Sequence, residues 1–81
     1  MYKLYFIAPD NEYVIEGEYK TIEEAIYDWQ NIGSRWIFYP FGVITTTKGF
    51  IVSIHESLQD KYYRKNIKTL LRDNIVQYYI N

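Results

Sequence analysis

The chain has 81 residues, no cysteine and a formal net charge of −1. This length suits one small domain spanning residues 1–81, and the lack of cysteine excludes disulfide bonds and thiolate zinc sites. No apolar run reaches the roughly 20 residues that a membrane helix needs. The N-terminal segment is too short and too polar for a signal peptide. We therefore expect a cytoplasmic protein.

The charges are unevenly distributed along the chain. Residues 1–34 carry seven acidic and two basic side chains, whereas residues 56–81 carry three acidic and five basic ones. Such an asymmetry is typical of two solvated surfaces of opposite sign. The acidic and basic parts meet either within one chain or between two copies.

Two strands are predicted at the N-terminus. Tyr2–Ile7 and Tyr13–Tyr19 alternate in polarity, and the turn residues of segment 8–11 separate them, so we expect a hairpin. Gly17 interrupts the second strand. Three carboxylates are spaced at even intervals and should share one exposed strand face, where they discourage aggregation: Glu12, Glu16 and Glu18.

A helix follows the predicted hairpin. Thr21 and Glu24 form a capping box, in which the threonine hydroxyl accepts from a backbone N–H of the first turn. The apolar side chains recur at helical spacing and predict one buried stripe: Ile22, Ala25, Ile26 and Trp29. Gly33 is expected to end this helix, because glycine adopts the left-handed cap conformation.

The densest apolar segment runs from Arg35 to His55 and predicts two long strands joined by a turn at Lys48-Gly49. Pro40 cannot donate a ladder hydrogen bond, so we expect a bulge or bend beside it, or an edge strand. Both faces of segment 36–44 carry large apolar groups. One face should pack on the helices, and the other needs a second cover, for which a partner molecule is one candidate.

The last third of the chain is helical in pattern. A helix start is expected near Ser57. Apolar residues at steps of three and four then favour an amphipathic helix over about 67–79, with a terminal strand at 75–80 as the competing interpretation. The predicted fold is therefore α+β, with element order β-β-α-β-β-α and a mostly antiparallel sheet packed against helices.

No catalytic or metal-binding pattern is present in the sequence. His55 is the single histidine, and it lies at a predicted strand end beside Glu56, where neighbouring side chains point to opposite faces. No nucleophile stands at a recognised spacing from it. We therefore predict no catalytic residue, no metal site, no cofactor and no enzymatic activity.

Basic residues in the C-terminal third suggest one binding surface. If this segment is one helix, then Arg64, Lys68 and Arg72 fall on one face at four-residue steps. A nucleic-acid-binding surface mixes such cations with aromatic rings, but an ordinary solvated helix face has the same pattern. The candidate nucleic-acid-binding residues are Lys61, Arg64, Lys65, Lys68 and Arg72.

Aromatic side chains suggest a different surface. Ten tyrosines and two tryptophans exceed the needs of one small core, and these residue types dominate protein interfaces. The alternative is that they pad the rim of a small core with their hydroxyls in water. The candidate partner-binding residues are Trp36, Tyr39, Phe41, Tyr62 and Tyr63.

The stretch Gly33-Ser34-Arg35-Trp36-Ile37-Phe38-Tyr39-Pro40-Phe41, between a helix and a Lys-Gly hairpin, resembles a group of short phage and prophage proteins of unassigned function. The resemblance covers about residues 21–55 and implies a phage or mobile-element origin. Abundant Ile, Tyr, Asn and Lys, which use AT-rich codons, agree with a low-GC bacterial host. Small phage proteins often inhibit one host protein, including restriction or CRISPR machinery.

We therefore expect a non-enzymatic protein that binds a host or phage protein through an aromatic surface, as an inhibitor of a host factor or host defence. Self-association is a further possibility for the same surface. A nucleic-acid-binding accessory role for the basic C-terminal residues is the alternative.

Overall fold

The computed structural model describes residues 1–80, apart from the side chain of residue 80. Its strands are β1 (Tyr2–Ile7), β2 (Tyr13–Tyr19), β3 (Phe41–Thr46) and β4 (Ile51–Ser53). Its helices are α1 (Ile22–Gln30), α2 (Glu56–Tyr62), α3 (Ile67–Arg72) and α4 (Val76–Ile80). The predicted α+β class and the order β-β-α-β-β-α are confirmed, except that the C-terminal helical region holds three short helices.

The four strands form one antiparallel sheet in the order β2-β1-β3-β4. The predicted N-terminal hairpin is confirmed, because β1 pairs with β2. On its other side β1 pairs with β3 along its whole length, from Tyr2 opposite Thr46 to Ile7 opposite Phe41. β1 and β3 are therefore the central strands, and their side chains build the core on both faces.

The two faces of the sheet are covered by different parts of the chain. On the C-terminal face, Tyr5 and Ile7 of β1 pack in one cluster with residues of α2, α3 and α4. On the α1 face, Leu4 and Phe6 pack with α1 and with side chains of segment 31–40. The second cover that the sequence required is thus supplied by the chain itself and not by a partner.

Helix α1 begins as predicted and ends earlier than predicted. The Thr21 hydroxyl accepts a hydrogen bond from the backbone N–H of Glu24 at 3.1 Å. The helix ends at Gln30 with Asn31 as its cap, whereas Gly33 was expected to cap it. Gly33 does adopt the left-handed conformation, with φ of 65°, but it begins the following series of turns.

Residues 36–39 are not a strand, so that prediction is wrong. Backbone N–H groups bond to carbonyls three residues earlier, from Arg35 to Ile32, from Ile37 to Ser34 and from Tyr39 to Trp36. Consecutive turns of this kind place side chains on all sides of the segment and do not alternate them between two faces. The regular strand resumes at Phe41, after Pro40.

A β-bulge in β2 changes which carboxylates share a face. Leu4 of β1 is opposite Gly17 and Tyr5 is opposite Ile15, which leaves Glu16 as the extra residue. Glu16 turns to the α1 face, where it contacts Arg35. Glu18, two residues after Glu16, is paired in register with Lys3 and follows the alternation toward the opposite face. The expectation of one shared acidic face is therefore wrong.

The C-terminal third contains two short helices where one helix over 67–79 was predicted. Asn74 adopts φ of 56°, which a continuing right-handed helix does not allow, and it separates α3 from α4. The choice of helix over a terminal strand for segment 75–80 is nevertheless confirmed. Within residues 1–80, no helix combines the length and apolar character needed to cross a membrane.

Candidate partner-binding groove

A groove of about 390 Å³ opens on the α1 face, between the end of α1 and the turns of segment 31–40. This volume is within the range of roughly 300–1,000 Å³ that is usual for ligand pockets. We call it the tryptophan groove, because both tryptophans of the chain line it. Its lining residues are Phe6, Trp29, Gln30, Ile32, Gly33, Ser34, Trp36, Ile37, Tyr39 and Pro40.

Trp29 packs closely against β3 at Gly42, which has no side chain. A Cβ atom at Gly42 would lie 2.2 Å from the indole ring, far inside the contact distance of two carbon atoms. The same indole packs edge-on against Phe6, with the ring centroids 6.1 Å apart. The glycine therefore fixes the depth at which the indole sits in the groove.

Trp36 is held by the bulged carboxylate of β2. Its Nε1 donates a hydrogen bond to Glu16 at 2.9 Å, and Arg35 makes an ion pair with the same carboxylate at 2.8 Å. The Trp36 ring packs edge-to-face on Tyr39, with centroids 6.0 Å apart. Tyr39 donates a long hydrogen bond of 3.4 Å to Glu12. Carboxylates of the N-terminal hairpin thus position two aromatic walls of the groove.

Two large apolar side chains stand in solvent at the tip of these turns. Ile37 is 66% exposed and also lines the groove, while its neighbour Phe38 is 80% exposed. Single exposed apolar residues are common on protein surfaces, but here two adjacent ones are exposed, and Ile37 also lines the groove. We call this pair the apolar tip.

The surroundings of the groove carry negative charge. Glu12 and Glu16 contact its walls, and Asp28 on α1 accepts a hydrogen bond from the Tyr19 hydroxyl. Burial, together with this bond to Asp28, raises the pKa of Tyr19 well above its ordinary value. Arg35 is the basic residue at this site, and Glu16 neutralises it.

The predicted partner-binding residues do not form one surface. Trp36 and Tyr39 come together in the tryptophan groove as half-buried side chains. Phe41 and Tyr62 were expected to be exposed, but they are 7% and 0% exposed in the core of the C-terminal face, so that expectation is wrong. Tyr63 is exposed, but it follows α2 on the C-terminal side of the sheet.

Several groove residues were missed by sequence reasoning. The helical spacing predicts Trp29 as part of a buried stripe, and Ile37 lies in the segment that the sequence predicts as a strand, as does Phe38 of the apolar tip. The available signal was the pair Gly33-Ser34 followed by Pro40, since these residue types are typical of turns. The apolar residues between Ser34 and Pro40 favoured a strand over turns.

The candidate basic residues are divided between two helices and a turn. Lys61 belongs to α2, and Lys68 and Arg72 belong to α3. Arg64 lies between these helices with φ of 67°, so the prediction of one helix face carrying it at four-residue steps is wrong. Lys65 follows it in the same turn.

Three of these cations surround two tyrosine rings. The Nζ atoms of Lys61 and Lys65 lie 5.5 and 5.9 Å from the centroid of the Tyr62 ring. The guanidinium of Arg64 lies 5.3 Å from the centroid of the Tyr63 ring. These distances are within the range of cation–π contacts, so part of the basic charge stabilises the turn itself.

His55 caps a helix and does not lie at a strand end as predicted. Its Nδ1 accepts a hydrogen bond from the backbone N–H of Ser57 at 3.2 Å and lies 2.7 Å from the Ser57 hydroxyl. His55 also borders a smaller cavity of about 150 Å³, and Trp29 is another of the residues that line it. In the described part of the chain, no three His, Asp or Glu side chains are grouped to hold a metal ion.

Comparison of the chain with protein-family models, with curated proteins and with solved structures finds no match. The tryptophan groove and the apolar tip are therefore selected on geometry and chemistry alone. They combine the largest cavity described above with the most exposed apolar side chain of residues 1–79.

Proposed function

We propose that this chain is a non-enzymatic protein that binds a protein partner through the tryptophan groove and the apolar tip. The observation that carries the proposal is the 80% exposure of Phe38 next to Ile37 and the groove. An exposed apolar surface of this kind gains free energy when a partner removes it from water, at roughly 25 cal/mol per Å² buried.

The composition of the surface supports protein binding. Tryptophan and tyrosine are enriched among the side chains that contribute most to protein interfaces, because they bury a large area at a small entropic cost. Trp36 and Tyr39 are already oriented by Glu16 and Glu12. These two side chains therefore lose little conformational entropy when a partner docks. The groove is thus preorganised for recognition.

We further propose that the chain is of phage or mobile-element origin and that its partner is a host factor or a host-defence protein. The resemblance of segment 33–41 to short phage and prophage proteins supports this origin. The same segment forms the turns that carry Trp36 and the apolar tip. The stretch that supports the origin is therefore also the stretch that we propose contacts the partner.

The test is affinity capture from nuclease-treated bacterial lysate, with the wild-type chain compared with Phe38→Ser. Phe38 contributes little to the core because it is mostly exposed, so the variant should fold normally. The amount of partner protein that it captures should fall at least tenfold. Tyr78→Ser is the matched control, since Tyr78 is also highly exposed but lies on α4. Equal capture by Phe38→Ser and wild type would refute the proposal.

A second candidate function is nucleic-acid binding by the C-terminal turn. It is favoured by the grouping of Lys61, Arg64 and Lys65 around two tyrosine rings. Three phosphate contacts predict a slope of about −2 for the logarithm of single-strand affinity against the logarithm of salt concentration. A measured affinity that does not change with salt would exclude this function.

A further inference from the structure

We infer that the tryptophan groove receives an arginine side chain of the partner protein. This inference rests on the proposed function and specifies the chemistry that the groove recognises. Two features of the α1 face carry it, namely the aromatic lining of the groove and the unneutralised carboxylates around it.

The lining of the groove suits a flat cation. Trp29 and Trp36 line the groove together with Tyr39, and tryptophan is the ring that attracts cations most strongly. A guanidinium also stacks on aromatic faces through its planar surface and sheds its hydration more readily than an ammonium does. Arginine therefore fits this lining better than lysine or a neutral side chain.

The charge of the surroundings complements the same occupant. Glu12 and Glu16 contact groove walls, and Asp28 precedes Trp29 on α1; among the described residues, only Glu16 of these three has a cationic partner. Within residues 1–79, two carboxylates thus have a tyrosine hydroxyl and no cation as their partner on this side of the molecule. A cation that enters the groove gains attraction from both, whereas an anionic or neutral segment does not.

The groove is not occupied by the chain's own basic residue at this site. Arg35 lies in the same turns, but its guanidinium points to Glu16, which accepts from it at 2.8 and 3.3 Å. Arg35 is also not one of the residues that line the groove. No cation in the described part of the chain lines the groove, so the arginine that we infer there comes from the partner.

The two tryptophans give a direct test, because both line the groove and the chain has no other. The indole N–H signals of the isotope-labelled wild-type chain are followed by NMR during titration with the peptide acetyl-Gly-Arg-Gly-Arg-Gly-amide. The variants Trp29→Phe and Trp36→Phe assign the signals. The matched probe replaces each arginine by citrulline, which keeps the shape and removes the charge.

The expected result is a saturable shift of both indole signals, with affinity about tenfold weaker for the citrulline probe. Asp28→Asn should weaken arginine binding a few-fold, whereas Glu18→Gln, on the opposite side of the sheet, should not. Equal shifts with both probes, or none with either, would overturn the inference.

The alternative occupant of the groove is an arginine of a second copy of the chain. If the wild-type chain self-associates at the concentrations of the titration, and Arg64→Ala abolishes this association, the groove takes Arg64 of another copy and the inference about a partner is wrong. Failure of the peptide titration leaves the capture experiment with Phe38→Ser unaffected, so the inference and the proposed function can fail separately.

Discussion

The two faces of the sheet are built from the same strands and are packed differently. Among the described residues, the C-terminal face buries a cluster of eleven side chains, whereas the α1 face buries four and packs them against half-buried aromatic residues. Side chains that are fully buried contribute most to stability, and half-buried aromatic side chains stay available to a partner. The C-terminal face therefore contributes more to stability, and under the proposed function the α1 face is the one that contacts a partner.

The largest effect is expected from a cavity in the C-terminal face. Leu70 is fully buried there, so Leu70→Ala should lower the free energy of unfolding by about 2–5 kcal/mol. Ile32→Ala, on the half-buried side of the α1 face, should cost about 1 kcal/mol or less. Urea denaturation of both variants measures the difference, and equal losses would contradict the division between the faces.

The next effect is expected from overpacking under Trp29. Gly42→Ala places a methyl group 2.2 Å from the indole and should cost about 1–3 kcal/mol while displacing the ring. Trp29→Phe removes the atoms that clash, so the cost of Gly42→Ala should be smaller in the double variant. Additive losses in this double-mutant cycle, measured by urea denaturation, would show that Trp29 does not rest on Gly42.

A smaller effect is expected from the carboxylate that holds the turns. Glu16→Ala removes the acceptor of Trp36 and the partner of Arg35, and it should cost about 1–2 kcal/mol. The indole signal of Trp36 should shift as the turns loosen. Glu18→Ala is the control, because Glu18 is exposed at the surface, and an equal cost for both variants would exclude this role of the bulge.

The sequence predicted the elements whose signals are local. The alternation of Tyr2–Ile7 and the cap at Thr21 each depend on neighbouring residues, and both match the structure. The spacing of apolar residues also favoured a helix and not a strand for the C-terminal segment. It did not predict the break at Asn74, because the left-handed conformation of this residue is coupled to tertiary contacts. Asn74 accepts a hydrogen bond from Asn11, which is remote in sequence.

The groove was only partly predictable for the same reason. Trp36 and Tyr39 were selected because of their residue type, but their orientation depends on carboxylates that are remote in sequence. Trp36 bonds to Glu16 of β2, 20 residues away, and Tyr39 bonds to Glu12, 27 residues away, just before β2. Without the bulge, Glu16 would point to the other face and the turns would lack this anchor. Tyr62 was misassigned because its burial depends on how α2 packs against the sheet.

The smallest effect is expected from a tyrosine of the C-terminal face whose titration makes stability depend on pH. Tyr62 donates a hydrogen bond of 2.7 Å to Asp73, and burial together with this bond raises the pKa of Tyr62 to about 12. Between pH 10 and 12 the unfolded chain releases this proton while the folded chain retains it, so the free energy of unfolding decreases with rising pH.

Tyr62→Phe removes this titration and should cost about 0.5–1 kcal/mol at pH 8, where the hydrogen bond is intact. Urea denaturation at pH 8 and pH 11 should then show a smaller alkaline loss for the variant than for the wild type. If the variant loses as much stability as the wild type, the alkaline sensitivity comes from elsewhere, and Tyr19 on the α1 face, with its raised pKa and its bond to Asp28, is the residue to replace next.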